Sequence, residues 1–272
     1  MADDRLSGWQ GKEVEDFYDL IGEELVRETE LGAEYVDRLS EETVSVSDLV
    51  ESTKNWRFGH VIVDEAQDLT PMQWRMIKRR TTGGAITVVG DVAQRRQGLK
   101  DWDTLVGHVY PDYDHHELTI NYRSPQTVQD IADRIAVEMG LEVETRSIRE
   151  GELGVGWDKV TDESGLLKIV EKLQDHLANA DRCAVIVDTE LVAQSWVEVL
   201  QAQSQDKDYL TVLTPVESKG LEFDHVVVVS ADALVAAERL PDLFVAVTRA
   251  TKSLAITYEN TVPTWLVDKS PA

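Results

Sequence analysis

Cysteine is almost missing from these 272 residues: Cys183 stands alone, so no disulfide framework staples the fold. It lies in the apolar run Cys183-Ala184-Val185-Ile186-Val187 and reads as a small core residue. Long apolar runs are lacking too, and none approaches the roughly 18 residues of a membrane span. The start, Met1-Ala2-Asp3-Asp4-Arg5, has no basic-then-apolar secretion signal, so the expected location is the cytoplasm. Basic residues are scarce, 27 against 51 acidic ones, for a net charge of -24. Such an average surface repels a phosphate backbone and excludes a protein that coats DNA generally. It leaves room for a local basic groove, and a high-salt habitat produces the same acid excess. Internal repeats and low-complexity segments are also absent.

What is present is ample apolar material, 42% of the residues, enough for a packed core. Short β-branched runs predict strands over His60–Asp64, Ala85–Gly90, Glu117–Ile120, Cys183–Asp188, Leu210–Leu213, His225–Ser230 and Ser253–Tyr258. Several are nearly all Val and Ile, as in strands buried on both faces of a parallel sheet. Helical stretches lie between them: Pro71–Arg80, Pro125–Met139, Glu163–Ala180 and Glu190–Gln203, with Pro71 and Pro125 read as first-turn residues. The alternation predicts an α/β fold. In the first 55 residues, Val14, Phe17, Tyr18, Ile21 and Leu25 recur at helical spacing among acids, predicting an acidic amphipathic helix or two packed on the first α/β unit.

The strongest chemical signal is Val61-Ile62-Val63-Asp64-Glu65-Ala66-Gln67-Asp68, an apolar strand ending in adjacent carboxylates. In doubly wound sheets, ligands gather at strand carboxyl ends. Paired acids there suit phosphoryl chemistry, one holding Mg²⁺ and the other polarising water; the plainer reading is an acidic loop before the helix at Pro71. A second strand ends in Val88-Val89-Gly90-Asp91-Val92-Ala93-Gln94. Then come Asn121-Tyr122-Arg123-Ser124-Pro125, Ser218-Lys219-Gly220-Leu221-Glu222-Phe223 and Val245-Ala246-Val247-Thr248-Arg249-Ala250.

These five segments, in this order, resemble motifs II to VI of superfamily 1 helicases of the UvrD/Rep type, over about residues 58–258. The resemblance implies two RecA-like lobes with parallel sheets, the first incomplete (residues 1–120) and the second spanning 121–272. ATP and Mg²⁺ are the implied cofactors. Asp64 would coordinate Mg²⁺, Glu65 would be the general base, and Gln94 would sense the γ-phosphate. Tyr122 would stack on adenine, Gly220 and Glu222 would lie at the nucleotide with Glu222 touching ribose, and Arg123 would reach the γ-phosphate. Arg249 would be the arginine finger. The alternative for Arg123 and Arg249 is a place on a helix surface.

A P-loop, G-x-x-x-x-G-K-[ST], is not found. Gly8-Trp9-Gln10-Gly11-Lys12-Glu13 has the wrong spacing, and Glu13 stands where Ser or Thr must meet Mg²⁺. The expectation is therefore a fragment lacking its amino-terminal P-loop segment, inactive alone, with a degenerate relative as the other option. The base-stacking Tyr and Trp of the family fall at Gln97 and Leu99, and a strand-contacting His falls at Val216, beside Glu217. Trp102 is expected in the core. Only 90 residues separate Pro125 from Pro215, which leaves no room for the family's large inserted domain. With the phrases Trp56–Val61 and Pro71–Met76, these departures resemble the HelD-type branch, which implies RNA polymerase as partner and DNA as a weak one. A DNA helicase or translocase of repair and a non-enzymatic docking module are the rivals. His115-His116 is read as a solvated loop, and Lys78-Arg79-Arg80 as a helix end favoured by the dipole.

Overall fold

The Val- and Ile-rich runs pair in parallel, as strands buried on both faces must when helices connect them. The computed structural model describes residues 57–83, 85–96, 101–149, 155–205 and 209–267, and every element below belongs to one unit, residues 59–272. The helices expected before residue 55, the Gly8–Glu13 stretch, and Gln97 and Leu99 lie outside the described residues.

Strands β1 (Val61–Val63) and β2 (Ile86–Val88) form a two-stranded parallel sheet, Val61 opposite Ile86 and Val63 opposite Val88. Helix α1 (Pro71–Arg80) connects them. It begins on a capping box: the Thr70 hydroxyl accepts from the Gln73 amide, and the Gln73 side-chain carbonyl accepts from the Thr70 N–H at 2.7 Å. A small core of Val63, Ala66, Trp74, Leu105, Val106, Val109 and Tyr110 closes under this sheet, with Trp102 packed against it as expected. At the end of α1, Lys78 donates to the Val109 carbonyl and lies 5.2 Å from the Tyr110 ring centre, so this cation is spent on packing.

Next, β3 (Ile120–Pro125) pairs in parallel with β4 (Arg146–Arg149) across helix α2 (Gln126–Glu138). The main sheet follows: β5 (Val155–Lys159), β6 (Cys183–Ile186), β7 (Leu210–Leu213), β8 (Phe223–Val228) and β9 (Ala250–Tyr258), in the order β5-β9-β8-β6-β7, with every pair parallel. The pleat sorts its side chains. Ala184, Ile186, Val226 and Val228 face α2, α6 (Ala231–Ala236), α7 (Leu240–Thr248) and α8 (Thr264–Val267). Cys183, Val185, Val187, Val227 and Val229 face α3 (Glu163–Glu171) and α5 (Gln194–Gln205). The result is a three-layer α/β sandwich, with helices on both faces of a parallel sheet. Burial, with the charges of Asp181 and Asp224, pushes the Cys183 thiol pKa up to about 12, as befits an inert core residue.

Four sequence expectations shift. The strand expected at Glu117–Ile120 starts at Ile120 instead, because its partner begins at Arg146, opposite Ile120. Pro125 is the extended residue before α2 (φ -59°, ψ 155°), not its first turn. The helix expected over Glu163–Ala180 divides into α3 and a short α4 (Gln174–Ala178). The helix expected at Glu190–Gln203 begins four residues later, at Gln194. Among the described residues no helix is long and apolar enough to cross a membrane.

Candidate functional site

The chain turns sharply after β1. Glu65 takes a left-handed conformation, φ 49°, which costs a non-glycine residue roughly 1–2 kcal/mol. The Asp64 Oδ1 accepts from the Glu65 amide at 2.8 Å, so the two carboxylates leave the strand in a fixed relation. From there a polar chain runs inward. Gln67, fully buried, donates from Nε2 to Glu65 Oε2 at 2.6 Å and accepts the Asp91 amide on Oε1 at 3.1 Å. Asp91 Oδ2 accepts Gln94 Nε2 at 3.1 Å, while its Oδ1 caps the 3-10 turn at Ala93. Gln94 Oε1 then faces Arg249 Nη2 at 3.5 Å, the outer limit of a hydrogen bond.

Gly90 shows why this chain needs its particular residues. A Cβ there would lie 2.4 Å from Gln67 Oε1 and 2.9 Å from the Trp102 ring, so only glycine lets the buried amide pass.

Arg249 follows α7 and is buried, which removes the helix-surface alternative. Its Nε donates to the Val245 carbonyl at 3.1 Å, Nη1 to the Leu221 carbonyl at 3.1 Å and Nη2 to the Thr248 hydroxyl at 3.2 Å. Burial lowers its pKa, and the Arg123 charge adds to that; Glu65, Asp91 and Glu222 oppose it. A guanidinium stays charged through such a shift. Three acids and a second arginine therefore act on one buried cation.

Arg123 leaves β3, not a helix, and its Nε stands 3.1 Å from Glu222 Oε2. Both side chains are about half exposed, so the pair positions more than it stabilises. The Asn121 side-chain carbonyl accepts from the amides of Arg123 and Ser124 and shapes that segment. Gly220 sits at φ +72°, the left-handed turn that leads into Glu222. Tyr122 is two-thirds exposed and takes no part in the polar chain. His115 and His116 are exposed, as the loop reading requires.

Two ion pairs that sequence reasoning did not single out join the small sheet's segment to the main one. Lys219 clamps both oxygens of Asp68 at 2.7 and 2.9 Å. Arg96 reaches Asp242 on α7 at 2.9 Å, and Arg239 binds the same buried oxygen at 2.8 Å. Burial raises the Asp242 pKa, and Arg96 holds it back. Asp68 and Lys219 stand inside recognisable motifs; Arg96 and Asp242 are 146 positions apart, and no local pattern announces such a pair.

Strand-end acids, a buried arginine and a glutamine between them define a class: parallel α/β proteins that gather polar side chains at the carboxyl ends of their strands. The chain matches the viral superfamily 1 RNA helicase core domain over residues 13–257, and it belongs to that family. Among solved structures it is similar to the carboxyl-terminal domain of a possible DNA helicase from Lactobacillus plantarum WCFS1, at 21% identity over 54% of this chain and 92% of that one, TM-score 0.42. It is also similar to the Arterivirus nonstructural protein 10 helicase, at 16% identity over 75% of this chain, TM-score 0.46. The same helicase in complex with DNA gives 15% identity and a TM-score of 0.45. The chain spans 40% of the length of that viral helicase. No curated protein matches this sequence.

Proposed function

We propose that this chain carries ATP-facing residues of a superfamily 1 helicase-type motor that remodels RNA polymerase–nucleic acid complexes. The observation that carries the reading is the unbroken polar path Glu65–Gln67–Asp91–Gln94–Arg249. It joins a strand-end carboxylate to a buried arginine belonging to the other sheet. We assign residues 1–120 to the first lobe and 121–272 to the second.

The residues present fit Mg²⁺ and a nucleotide phosphate in part. Asp64 is exposed, and its Oδ2 has no partner among the described residues, so a hard cation can reach it. Arg123 and Arg249 supply cationic donors. The phosphate cradle is what the 272 residues do not spell. Mg-ATP, when bound, supplies the phosphoryl group whose transfer to water drives the motor.

The chain's own residues then have the following work. Asp64 holds the metal ion. Glu65, oriented through Gln67, accepts the proton of the attacking water. Gln94 has its amide fixed by Asp91 and can exchange Arg249 for a phosphate oxygen, which makes it the sensor. Arg249 neutralises developing charge, being already desolvated and needing to give up only its longest bond. Arg123 adds charge at the γ-phosphate, Glu222 binds ribose, Gly220 shapes the turn before it, and the exposed Tyr122 ring stacks on adenine.

Three features support the polymerase branch over a DNA translocase. The acid excess opposes strand binding. Glu217 stands beside Val216, the position where the family's strand-contacting His falls. It accepts the Thr214 amide at 2.9 Å and the Thr214 hydroxyl at 2.8 Å, which lower its pKa and keep it charged. The connection between Pro125 and Pro215 is compact. The test is steady-state Mg-ATP hydrolysis with and without single-stranded DNA, beside retention of purified RNA polymerase on the immobilised chain. Silence in both hydrolysis reactions with polymerase retained is expected. DNA-stimulated turnover overturns the branch assignment, and so does failure to retain polymerase.

A further inference from the structure

We propose a binding site for a divalent transition ion of the zinc class on the face of the main sheet opposite α7, with His176 Nδ1, Asp181 Oδ2 and His225 Nε2 as ligands. Their ligand atoms lie within 4.8 Å of one another. Asp181 Oδ2 is the pivot, 3.2 Å from His225 Nε2 and 3.8 Å from His176 Nδ1. A tetrahedral zinc site with bonds of about 2.0–2.1 Å keeps its ligand atoms roughly 3.3 Å apart. The observed separations bracket that spacing.

Three separate elements bring these groups together. His176 lies on α4, Asp181 in the loop entering β6, and His225 early on β8, sharing a face with Val227 and Val229. Each ligand on the sheet side is already held by a partner on its far side. His225 is buried, and its Nδ1 stands 2.6 Å from the Ser253 hydroxyl on β9, which leaves Nε2 aimed at Asp181. Ligating imidazoles are commonly oriented through the second nitrogen in this way. The Asp181 carboxylate divides its oxygens: Oδ1 takes Lys252 Nζ at 2.7 Å, and Oδ2 is turned to the two rings. Lys252 also reaches Asp224 at 3.3 Å, so two carboxylates face one ammonium and the pocket carries a surplus negative charge. Arg182 directs its guanidinium to Glu222, at 3.9 Å, rather than into the cluster.

The two imidazoles are stacked, ring centres 3.6 Å apart and planes 22° from parallel. One ion lies in both ring planes only if the stack opens. His176 is the ring that turns, because its side chain is one-third exposed on a five-residue helix, whereas His225 is locked. That movement is also the entry path from solvent, and water completes the coordination. Imidazole with a single carboxylate selects Zn²⁺, Co²⁺ or Ni²⁺ over Mg²⁺ or Ca²⁺. The proposal stands apart from the nucleotide reading and survives its failure.

The test is a Co²⁺ titration of the full chain followed by visible absorption, with Zn²⁺ displacement measured by calorimetry. One equivalent is expected to bind. His176→Ala and Asp181→Asn should each weaken it at least about tenfold, and Ser253→Ala by roughly tenfold as an orienting partner. The double variant His115→Ala/His116→Ala, with its neighbouring surface histidines removed, should bind as the parent does. Absence of saturable binding overturns the site, and so does binding that persists in His176→Ala.

Discussion

The β1–β2 sheet and the main sheet hold their share of the candidate site by different means. In β6 all four residues are buried, and apolar layers cover both faces. In β1 only Val63 is buried, and Ile62 is 72% exposed. The main sheet therefore sets Arg249 by packing: α7 is buried from Pro241 to Val247, and the guanidinium is tied to its last turn. The small sheet sets Glu65, Asp91 and Gln94 by hydrogen bonds through one buried amide, Gln67. Polar positioning is specific but sensitive, since removing one member leaves the next unpaired in a low dielectric. The lesson is that the acid half of the site depends on single atoms, whereas the arginine half depends on a whole layer.

That contrast is open to attack, and the largest effect should come from the small core. Trp74 is fully buried in a seven-residue cluster, and Trp74→Ala should cost about 3–5 kcal/mol. Hydrogen exchange should show protection lost in α1 and retained in β6. Equal loss in both would mean that the two sheets share one cooperative core. Gly90→Ala comes next, about 1–3 kcal/mol from urea unfolding, because its Cβ meets Gln67 Oε1 at 2.4 Å. A neutral result would show that Gln67 moves aside at little cost.

Gly220→Ala is predicted to cost about 1–2 kcal/mol through its φ of +72° alone, since nothing lies within 4 Å of the new Cβ. A folded-state clash by crystallography would contradict that cause. The smallest effect belongs to the main sheet's cover. Asp162 caps α3, and the Gly165 amide, then the Ser164 hydroxyl, hold its pKa below the usual value. A depressed carboxylate stabilises above its unfolded pKa and loses that contribution as pH falls through the folded one. Asp162→Ala should therefore lower Tm slightly at pH 7 and hardly at all in strong acid. A gap that persists in acid would deny the charge-based cap.

The legibility of the fold followed the same division. Strands β6 and β8 announced themselves, because burial on both faces demands unbroken Val and Ile. Helix α7 was not predicted: it is buried almost all round, and a helix without an exposed polar face has no period to read. Edge strand β5 and strand β4 escaped because Gly156, Arg146 and Arg149 dilute their pattern. The site residues were visible as motifs in sequence order. Burial of Arg249, the role of Gln67 and the Arg96–Asp242 pair were not, because each is a contact between elements distant in sequence.

The most direct measurement is equilibrium binding of a fluorescent ATP analogue with Mg²⁺ to the parent chain and to Arg249→Ala. Circular dichroism would establish that both are folded. The account predicts saturable binding by the parent, weakened at least about tenfold, some 1.4 kcal/mol, in the variant. Equal affinity in the two would contradict it, because the buried guanidinium would then have no part in holding the nucleotide.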